Sequence, residues 1–231
     1  MILKFSKLQS AMEPLRLNHS LAERIPGATL KLTPLPSCPT IDLLLLDPSY
    51  PQWALTQQQA AALMEKPPYW SFCWASGQVL ASYLLANPDL VRGKVVADVG
   101  SGSGVVAIAA KLAGAKTVIA CDQDPDAIEA CLYNAKLNRC PLQSISSLDQ
   151  LSPVDTITVA DVFYDRDNLT LLPGLLQRCK TLLVADSRLN GEELAPLHRI
   201  NSYRSHTVPD LDESSEFRNV TIYCNQSSVE A

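Results

Sequence analysis

The stretch from Val95 to Asp122 constrains the fold of this chain more than any other. Residues 95–99 are mostly apolar and are typical of a strand buried on both faces of a sheet. Three glycines that alternate with serines follow, and residues 105–112 are mainly small and apolar, as a helix packed closely on a sheet requires. A second apolar run, residues 117–121, ends at Asp122. This order predicts half of a doubly wound nucleotide-binding fold.

The spacing of the glycines bears on which nucleotide is bound. A dinucleotide fingerprint, G-x-G-x-x-G, would need glycine at position 105, where this chain has Val105. Asp98, just before the turn, would repel a pyrophosphate but would attract a cation. S-adenosylmethionine carries an ammonium and a sulfonium and has no phosphate. The pattern therefore favours S-adenosylmethionine as cofactor, with a dinucleotide, or a turn that binds nothing, as the alternatives.

Candidate cofactor residues follow from this interpretation. The glycines let the backbone approach the methionine part, and Asp122 can accept hydrogen bonds from the ribose hydroxyls. Trp74 is one of four aromatic residues within positions 69–74. It offers an aromatic face to the sulfonium, although core packing is the alternative for each of these four rings. Ser144 and Ile145 fall where an adenine would lie. The full predicted set is Trp74, Asp98, Gly100, Ser101, Gly102, Gly104, Asp122, Gln123, Ser144, Ile145 and Asp161.

Composition narrows the classes of partner. The net charge is −5 and lysine or arginine runs are absent, which disfavours nucleic acid as a partner. No apolar run approaches the roughly 20 residues of a membrane span, so we expect no membrane association. The seven cysteines are scattered without C-x-x-C spacing and there are only three histidines, which argues against a metal site. Free thiols predict a reducing compartment, and we expect a cytoplasmic protein.

The rest of the chain predicts further elements around the glycine turn. We expect helices over 76–86 (with Ser76 as N-cap), 125–138 and 167–178, the last with Pro173 near its middle. Parallel strands are expected at 142–145, 156–160 and 181–185. Two final strands, 203–208 and 219–224, suggest an antiparallel hairpin added to the sheet. The predicted class is α/β, with a doubly wound, mostly parallel seven-stranded sheet.

Residues 1–66 do not fit the doubly wound pattern. Prolines break up the first half, residues 41–46 could form a strand, and residues 55–64 could form a helix. We interpret residues 1–66 as an N-terminal extension that packs on a catalytic domain spanning residues 67–231. The alternative, a partly disordered tail, applies best to residues 1–25.

Two further segments suggest a family. The segments PPYWSFCWASGQ, beginning at Pro67, and ADVFYDRD, beginning at Ala160, flank the glycine turn. Together with the turn they resemble the lysine methyltransferases that modify the β subunit of electron-transfer flavoprotein, within the wider seven-β-strand methyltransferases. The resemblance implies a Rossmann-like class I methyltransferase fold, S-adenosylmethionine as cofactor and a protein lysine as acceptor. Where family members usually have Pro-Gly-Gly, this chain has Ala75-Ser76-Gly77.

The resemblance also implies that Asp161 and Tyr164 are the catalytic residues and hold the acceptor nitrogen. The chemistry agrees, because methyl transfer needs a neutral amine and a free lysine titrates near 10.4. Burial among aromatic rings would lower the pKa of that lysine, and Asp161 could orient its lone pair. The alternative for Asp161 is a cap on the following loop.

Other acceptors and one other class of function stay open. Ribosomal protein L11 or a small amine such as a nicotinamide-like ring could be methylated instead. Nucleobase amino-methyltransferases usually carry D/N-P-P-Y at the end of the fourth strand of the domain. Val162-Phe163 replaces both prolines here, which disfavours DNA and RNA bases as acceptors. A cofactor-binding partner protein without catalysis is the third alternative. We expect a monomer.

Overall fold

The computed structural model describes residues 15–51, 56, 67–189, 191–210 and 218–226. The first described element is a helix, α1, which covers residues 15–24. Strands β1 (Leu30–Pro34) and β2 (Asp42–Leu46) follow and pair antiparallel in a two-stranded sheet of their own. β2 is the more buried of the two, with Leu43, Leu45 and Leu46 packed into the protein.

A seven-stranded sheet forms the centre of the molecule, with strand order β5-β4-β3-β6-β7-β9-β8. The first five strands in this order pair in parallel, whereas β9 runs antiparallel to both β7 and β8. The predicted fold class and C-terminal antiparallel hairpin are therefore confirmed. The strands are β3 (Val95–Val99), β4 (Thr117–Cys121), β5 (Gln143–Ile145), β6 (Val154–Ala160), β7 (Cys179–Asp186), β8 (His198–Arg204) and β9 (Asn219–Cys224).

Among the described residues, four helices accompany this sheet: α2 (Ala75–Ala86), α3 (Val105–Leu112), α4 (Pro125–Leu137) and α5 (Leu172–Arg178). Side chains of the strands alternate between two cores, as the period of a strand requires. Val96 faces the core shared with α2 and α3, whereas Ala97 faces the core shared with α5. Helices on both faces leave the carboxyl ends of the parallel strands open for a ligand.

Residues 15–51 pack against elements of the chain that follows them. Leu43 and Leu45 belong to the same core as α2 and α3. Leu17 and Leu21 of α1 belong to a third cluster, together with Trp70 and residues of α4. The N-terminal segment thus shares its apolar core with the segment that carries the glycine turn.

Several predicted boundaries differ from the structure. The chain from 166 to 171 is a 3₁₀ helix, and α5 begins at Leu172, so Pro173 lies in the first turn of α5, where its missing N–H costs nothing. Strand β8 covers His198–Arg204 rather than 203–208. Residue 74, not Ser76, is the N-cap of α2. The predicted helix 55–64 lies almost wholly outside the described residues.

Candidate active site

A cavity of about 480 Å³ opens at the carboxyl ends of β3, β4, β6 and β7. The glycine turn and the residues after β4 form one end of it, and aromatic residues with the segments after β6 and β7 form the other. Of the predicted site residues, those that line this cavity are Trp74, Gly100, Gly102, Asp122, Gln123, Asp161 and Tyr164.

Gly100 and Gly104 need glycine for steric as well as conformational reasons. Gly100 has φ +72°, and a Cβ on it would lie 2.3 Å from Cγ2 of Val162. Gly104 has φ +86°, and its Cβ would lie 2.8 Å from Sγ of Cys131. The turn therefore brings bare backbone to the cavity at Gly100, whereas Gly104 allows close packing of α3 on α4.

Ser101 holds the glycine turn to the neighbouring strand. Its hydroxyl donates to the carbonyl of Asp98 at 2.7 Å and accepts from the backbone N–H of Cys121 at 3.0 Å. Neither Ser101 nor Gly104 is among the described residues that line the cavity. Both residues therefore shape the turn without facing the cavity.

Asp98 lies buried beneath the glycine turn rather than on the cavity surface. The hydroxyl of Thr158 donates to its Oδ1 at 2.7 Å. Burial raises the pKa of Asp98 to about 7, against the lowering effect of the Thr158 hydrogen bond. Its carboxyl group can therefore change charge near neutral pH, and a nearby cation would favour the ionised form.

Asp122 is fixed at the other side of the turn. Its Oδ2 accepts from the backbone N–H of Gly102 at 2.9 Å, and its Oδ1 accepts from that of Asp124 at 3.0 Å. Burial raises the pKa of Asp122 although these two bonds oppose the shift. A half-buried carboxylate in this position can still accept from vicinal hydroxyl groups.

Ser144 and Ile145 end strand β5, and neither is among the described residues that line the cavity. Leu148, three residues further on, is the apolar side chain that reaches it from this segment. A sequence pattern places the end of a strand but not the path of the loop beyond it.

Asp161 joins the end of β6 to the start of α2. Its Oδ1 accepts from the hydroxyl of Ser76 at 2.6 Å, and its Oδ2 accepts from the backbone N–H of Ser76 at 3.2 Å. A carboxylate at a helix N-terminus is stabilised by free N–H groups and by the helix dipole. Asp161 thus caps α2, an element distant in sequence, rather than the loop that follows Asp161.

The backbone and charge of Asp161 are both unusual. Its φ is +52°, a left-handed conformation that aspartate tolerates better than most residues. Burial raises the pKa of Asp161 to about 7, with the Ser76 hydroxyl opposing the shift and the neighbouring Asp186 adding to it. An acid that titrates near 7 is suited to accept a hydrogen bond or a proton at neutral pH.

Aromatic rings enclose the end of the cavity beyond Asp161. Tyr69 makes edge-on contacts with Trp74 at 5.7 Å and with Tyr164 at 6.0 Å between ring centroids. The guanidinium of Arg188 lies 5.6 Å from the centroid of Tyr164. The indole N–H of Trp74 donates to the carbonyl of Tyr69 at 3.0 Å, which fixes its ring.

Some lining residues had not been predicted from the sequence. Tyr69 could have been found, because it lies in the same aromatic cluster as Trp74. Ser187 and Arg188 follow strand β7 at the same sheet edge as Asp161, which is also a usable signal. Others reach the cavity from loops or helices without a local pattern: Asp124, Ala127, Leu148, Asn168, Leu171 and Thr207.

The sequence and the fold match known proteins. A family model described as ribosomal protein L11 methyltransferase matches residues 80–165. The electron transfer flavoprotein beta subunit lysine methyltransferase of Rattus norvegicus is 36% identical over 184 residues, which are 74% of this chain and 70% of the relative. The chain belongs to this family. The resemblance drawn from the motifs is thereby confirmed.

Coverage of the other relatives is shorter. The Homo sapiens protein of the same name is 42% identical over 146 residues, 61% of this chain and 54% of the relative. The chain therefore spans about half the length of that relative in the alignment. A ribosomal protein L11 methylase structure from Lactobacillus delbrueckii subsp. bulgaricus has a TM-score of 0.52 at 23% identity, over 66% of this chain and 79% of its own. At this identity the likeness supports the fold alone.

The described residues also bear on two other kinds of site. Within residues 15–51, 67–189, 191–210 and 218–226, no helix has the length and apolarity needed to cross a membrane. The same part of the chain holds no cluster of three or more side chains suited to binding a metal. All seven cysteines are free thiols.

Proposed function

We propose that this chain is an S-adenosylmethionine-dependent methyltransferase that methylates a protein lysine, with the β subunit of electron transfer flavoprotein as the leading substrate. One observation carries the proposal. A single cavity has the glycine turn and Asp122 at one end and Asp161 with three aromatic rings at the other. The name of the family to which the chain belongs supports the choice of acceptor.

The first end of the cavity fits S-adenosylmethionine. The backbone at Gly100 and Gly102 is bare, so the methionine part can approach it closely. Asp122 would accept from the ribose hydroxyls, and Gln123 lies beside it on the cavity wall. Asp98 beneath the turn would add negative charge under a cationic ligand. When bound, the cofactor would supply an electrophilic methyl group.

The second end suits a lysine side chain in its neutral form. The rings of Tyr69, Trp74 and Tyr164 would desolvate the amine and lower its pKa from the ordinary value near 10.4. Asp161 would accept a hydrogen bond from the amine and turn its lone pair towards the methyl group. A carboxylate has about four acceptor positions, and Ser76 uses two of those on Asp161.

Transfer would then be a displacement in line at carbon. The lysine nitrogen would bond to the methyl carbon as the bond from that carbon to sulfur breaks, and the positive charge would move from the sulfur to the nitrogen. The departing proton can pass to Asp161 or to water. Positioning of the two reactants would supply most of the rate.

The substrate can be tested directly. The purified chain is incubated with methyl-tritiated S-adenosylmethionine and the recombinant β subunit, and the modified residue is mapped by mass spectrometry. We expect label on lysine that disappears when lysines of the β subunit are replaced by arginine. A parallel incubation with a cell extract provides the comparison. Label on another protein of that extract, with none on the β subunit, would overturn the assignment of the substrate but not that of the reaction.

Ribosomal protein L11 is the second candidate acceptor. The family model with that description matches residues 80–165. That range includes the glycine turn and Asp161, but not Tyr69 and Trp74. A parallel incubation with ribosomal protein L11 separates the two candidates. Cofactor binding without label on any protein would instead favour the partner protein that does not catalyse.

Asp161 was predicted both as a catalytic residue and as a cofactor residue, and we expect its main contribution to be in the transfer. Asp161→Asn keeps an oxygen for capping α2 but removes the charge, so we expect kcat to fall about 100-fold, as for loss of a general base. The dissociation constant of S-adenosylhomocysteine should change less than about threefold. Asp165→Asn is the control, because Asp165 is exposed and its side chain caps the 3₁₀ helix after it, where asparagine can cap as well. Full turnover in Asp161→Asn would contradict the assignment.

We also propose a reducing, cytoplasmic setting and a protein partner. The free thiols support the first, since six of the seven are buried as apolar side chains would be. The monomeric state remains a prediction.

A further inference from the structure

Helix α1 packs on the outer wall of the cofactor end of the cavity. Leu17, Leu21 and Ile25 are buried and share a cluster with Trp70 and Ala127. Trp70 and Ala127 both line the cavity, whereas the described residues of α1 do not. The helix therefore forms a second layer behind residues that would touch the cofactor.

Arg24 at the end of α1 makes the polar part of this contact. Its Nη1 lies 3.3 Å from Oδ2 of Asp124, and its Nη2 lies 2.5 Å from Oδ2 of Asp126. The Arg24 side chain is only 12% exposed, so these ion pairs are shielded from solvent more than a surface pair would be. The hydroxyl of Ser20 also donates to Asp126.

The partners of Arg24 lead directly to Asp122. The side chain of Asp124 caps α4 by accepting from the N–H of Asp126 at 2.9 Å, and its own N–H donates to Oδ1 of Asp122 at 3.0 Å. Asp122 in turn holds the N–H of Gly102. One guanidinium is thus connected through Asp124 to the carboxylate and the glycine turn at the cofactor end.

Three carboxylates within five residues repel one another, more strongly where burial excludes water. Burial raises the pKa of Asp122, and the charge of Asp124 acts in the same direction as a smaller cause. Arg24 supplies a cation to two of the three. Without it, the loop from Asp122 to Asp126 could reduce its repulsion by moving apart or by taking up a proton.

We propose that Arg24 is a positioning residue for the cofactor: by pairing with Asp124 and Asp126 it holds Asp122 in place and ionised for the ribose hydroxyls. This inference rests on the proposed function and deepens it. The segment before the doubly wound domain then contributes to cofactor affinity without touching the cofactor. A second attachment supports this role, since Asn134 of α4 accepts from the N–H of Leu44 in β2 and donates to the carbonyl of Ser103 in the turn.

The test compares three substitutions in the full chain by calorimetric titration with S-adenosylhomocysteine. Arg24→Gln should raise the dissociation constant about tenfold, equivalent to about 1.4 kcal/mol. Arg24→Lys should recover part of this loss because it keeps the charge. Arg16→Gln is the matched control: Arg16 lies on the same helix and is 63% exposed. It bonds Glu129 at 2.6 Å, lies farther from Asp126, at 3.7 Å, and does not pair with Asp124, so its loss should leave the constant within about twofold.

Two further measurements separate positioning from general destabilisation. In turnover assays with the protein substrate, Arg24→Gln should raise KM for S-adenosylmethionine while kcat at saturating cofactor stays near that of the wild type. In an Asp124→Asn background, Arg24→Gln should cost less affinity, because one repelling charge is already gone.

Unchanged affinity in Arg24→Gln, or equal losses in Arg24→Gln and Arg16→Gln, would overturn this inference and leave the proposed function standing. Failure of the wild-type chain to bind S-adenosylhomocysteine at all would instead overturn the proposed function.

Discussion

At the scale of single residues, Gly100 carries the tightest steric requirement of the glycine turn. Its φ of +72° and the 2.3 Å approach of Val162 to a would-be Cβ are separate penalties. Gly93 has nearly the same conformation, φ +71°, with nothing within 4 Å of its Cβ position. A comparison of substitutions at these two glycines therefore separates the cost of backbone strain from the cost of steric collision.

Gly100→Ala and Gly93→Ala give the first prediction. Both variants should lose about 1–2 kcal/mol of unfolding free energy for a left-handed alanine. Gly100→Ala should lose more unfolding free energy, because Val162 must also move to make room for the new methyl group. Its affinity for S-adenosylhomocysteine should fall at least about tenfold, because Val162 is the chain neighbour of Asp161 and lines the cavity. Urea unfolding and calorimetric titration measure the two effects. Equal behaviour of the two variants would show that the collision is relieved at no cost.

The buried carboxyl group of Asp98 gives a pH dependence with a definite sign. Burial raises the pKa of Asp98 to about 7, so the folded chain keeps a proton there that the unfolded chain loses near pH 4. Between these values the folded state binds more protons, and stability falls as pH rises. Asp161, with its pKa raised to about 7 by burial, contributes with the same sign.

Asp98→Asn should therefore flatten the pH dependence of stability. We expect the unfolding free energy of the ligand-free chain to fall between pH 5 and 7, and the substitution to reduce that slope by up to about 1.4 kcal/mol per pH unit. Asp155→Asn is the control, because Asp155 is bound to Lys180 and its pKa is lowered, outside this window. Urea unfolding at several pH values provides the measurement, and an unchanged slope in Asp98→Asn would contradict the assignment.

At the scale of elements, Asn134 of α4 and Asn138, the C-cap residue of that helix, bind the free edge of β2. Asn134 accepts from the N–H of Leu44 at 2.7 Å, and Asn138 accepts from that of Asp42 at 3.1 Å. Asn134 is fully buried, whereas the bonds of Asn138 to Asp42 are exposed. The side-chain amides take the place of a neighbouring strand.

The difference in burial predicts a difference in stability. Asn134→Ala should cost about 2–4 kcal/mol, because it leaves the N–H of Leu44 and the carbonyl of Ser103 without partners in the interior. Asn138→Ala should cost less than about 1 kcal/mol, since water can replace its bonds. Denaturant unfolding of the two variants tests this, and equal costs would show that water reaches the Asn134 site.

Element boundaries show where local pattern stops being informative. Strands β3, β4 and β6 followed from runs of apolar residues, because a buried parallel strand needs such a run whatever its neighbours are. Strand β8 did not: its residues are mostly exposed and polar, and only pairing with β9 defines it. The segment after it is held instead by a bridge between Cys73 and Val208.

At the scale of the whole molecule, the described N-terminal segment and the glycine-turn domain have a common interior. The core that contains Leu43 and Leu45 also contains residues of α2 and α3, and Trp70 shares a second cluster with residues of α1 and α4. Elements that share buried apolar surface lose it together when one unfolds. The sequence prediction of an extension in front of a domain therefore becomes a proposal of one cooperative unit.

Thermal unfolding should then show one transition. Far-ultraviolet circular dichroism reports the sheet and helices, and tryptophan fluorescence reports in part the environment of Trp70, so the two curves should coincide. An early transition in fluorescence alone would show that the N-terminal segment separates from the domain before it melts.

The sequence by itself determined the doubly wound fold, the glycine turn and the acids at the ends of β3, β4 and β6. These depend on spacing within one strand–turn–helix unit, so a local pattern contains them. Only the tertiary structure decided that Asp161 caps α2, that Tyr69 and Arg188 join Trp74 and Tyr164 at one cavity, and that Arg24 reaches Asp124. The pairs Ser76–Asp161, Tyr69–Tyr164 and Arg24–Asp124 each join residues far apart in the chain, and the packing of elements, which no local pattern records, brings them together.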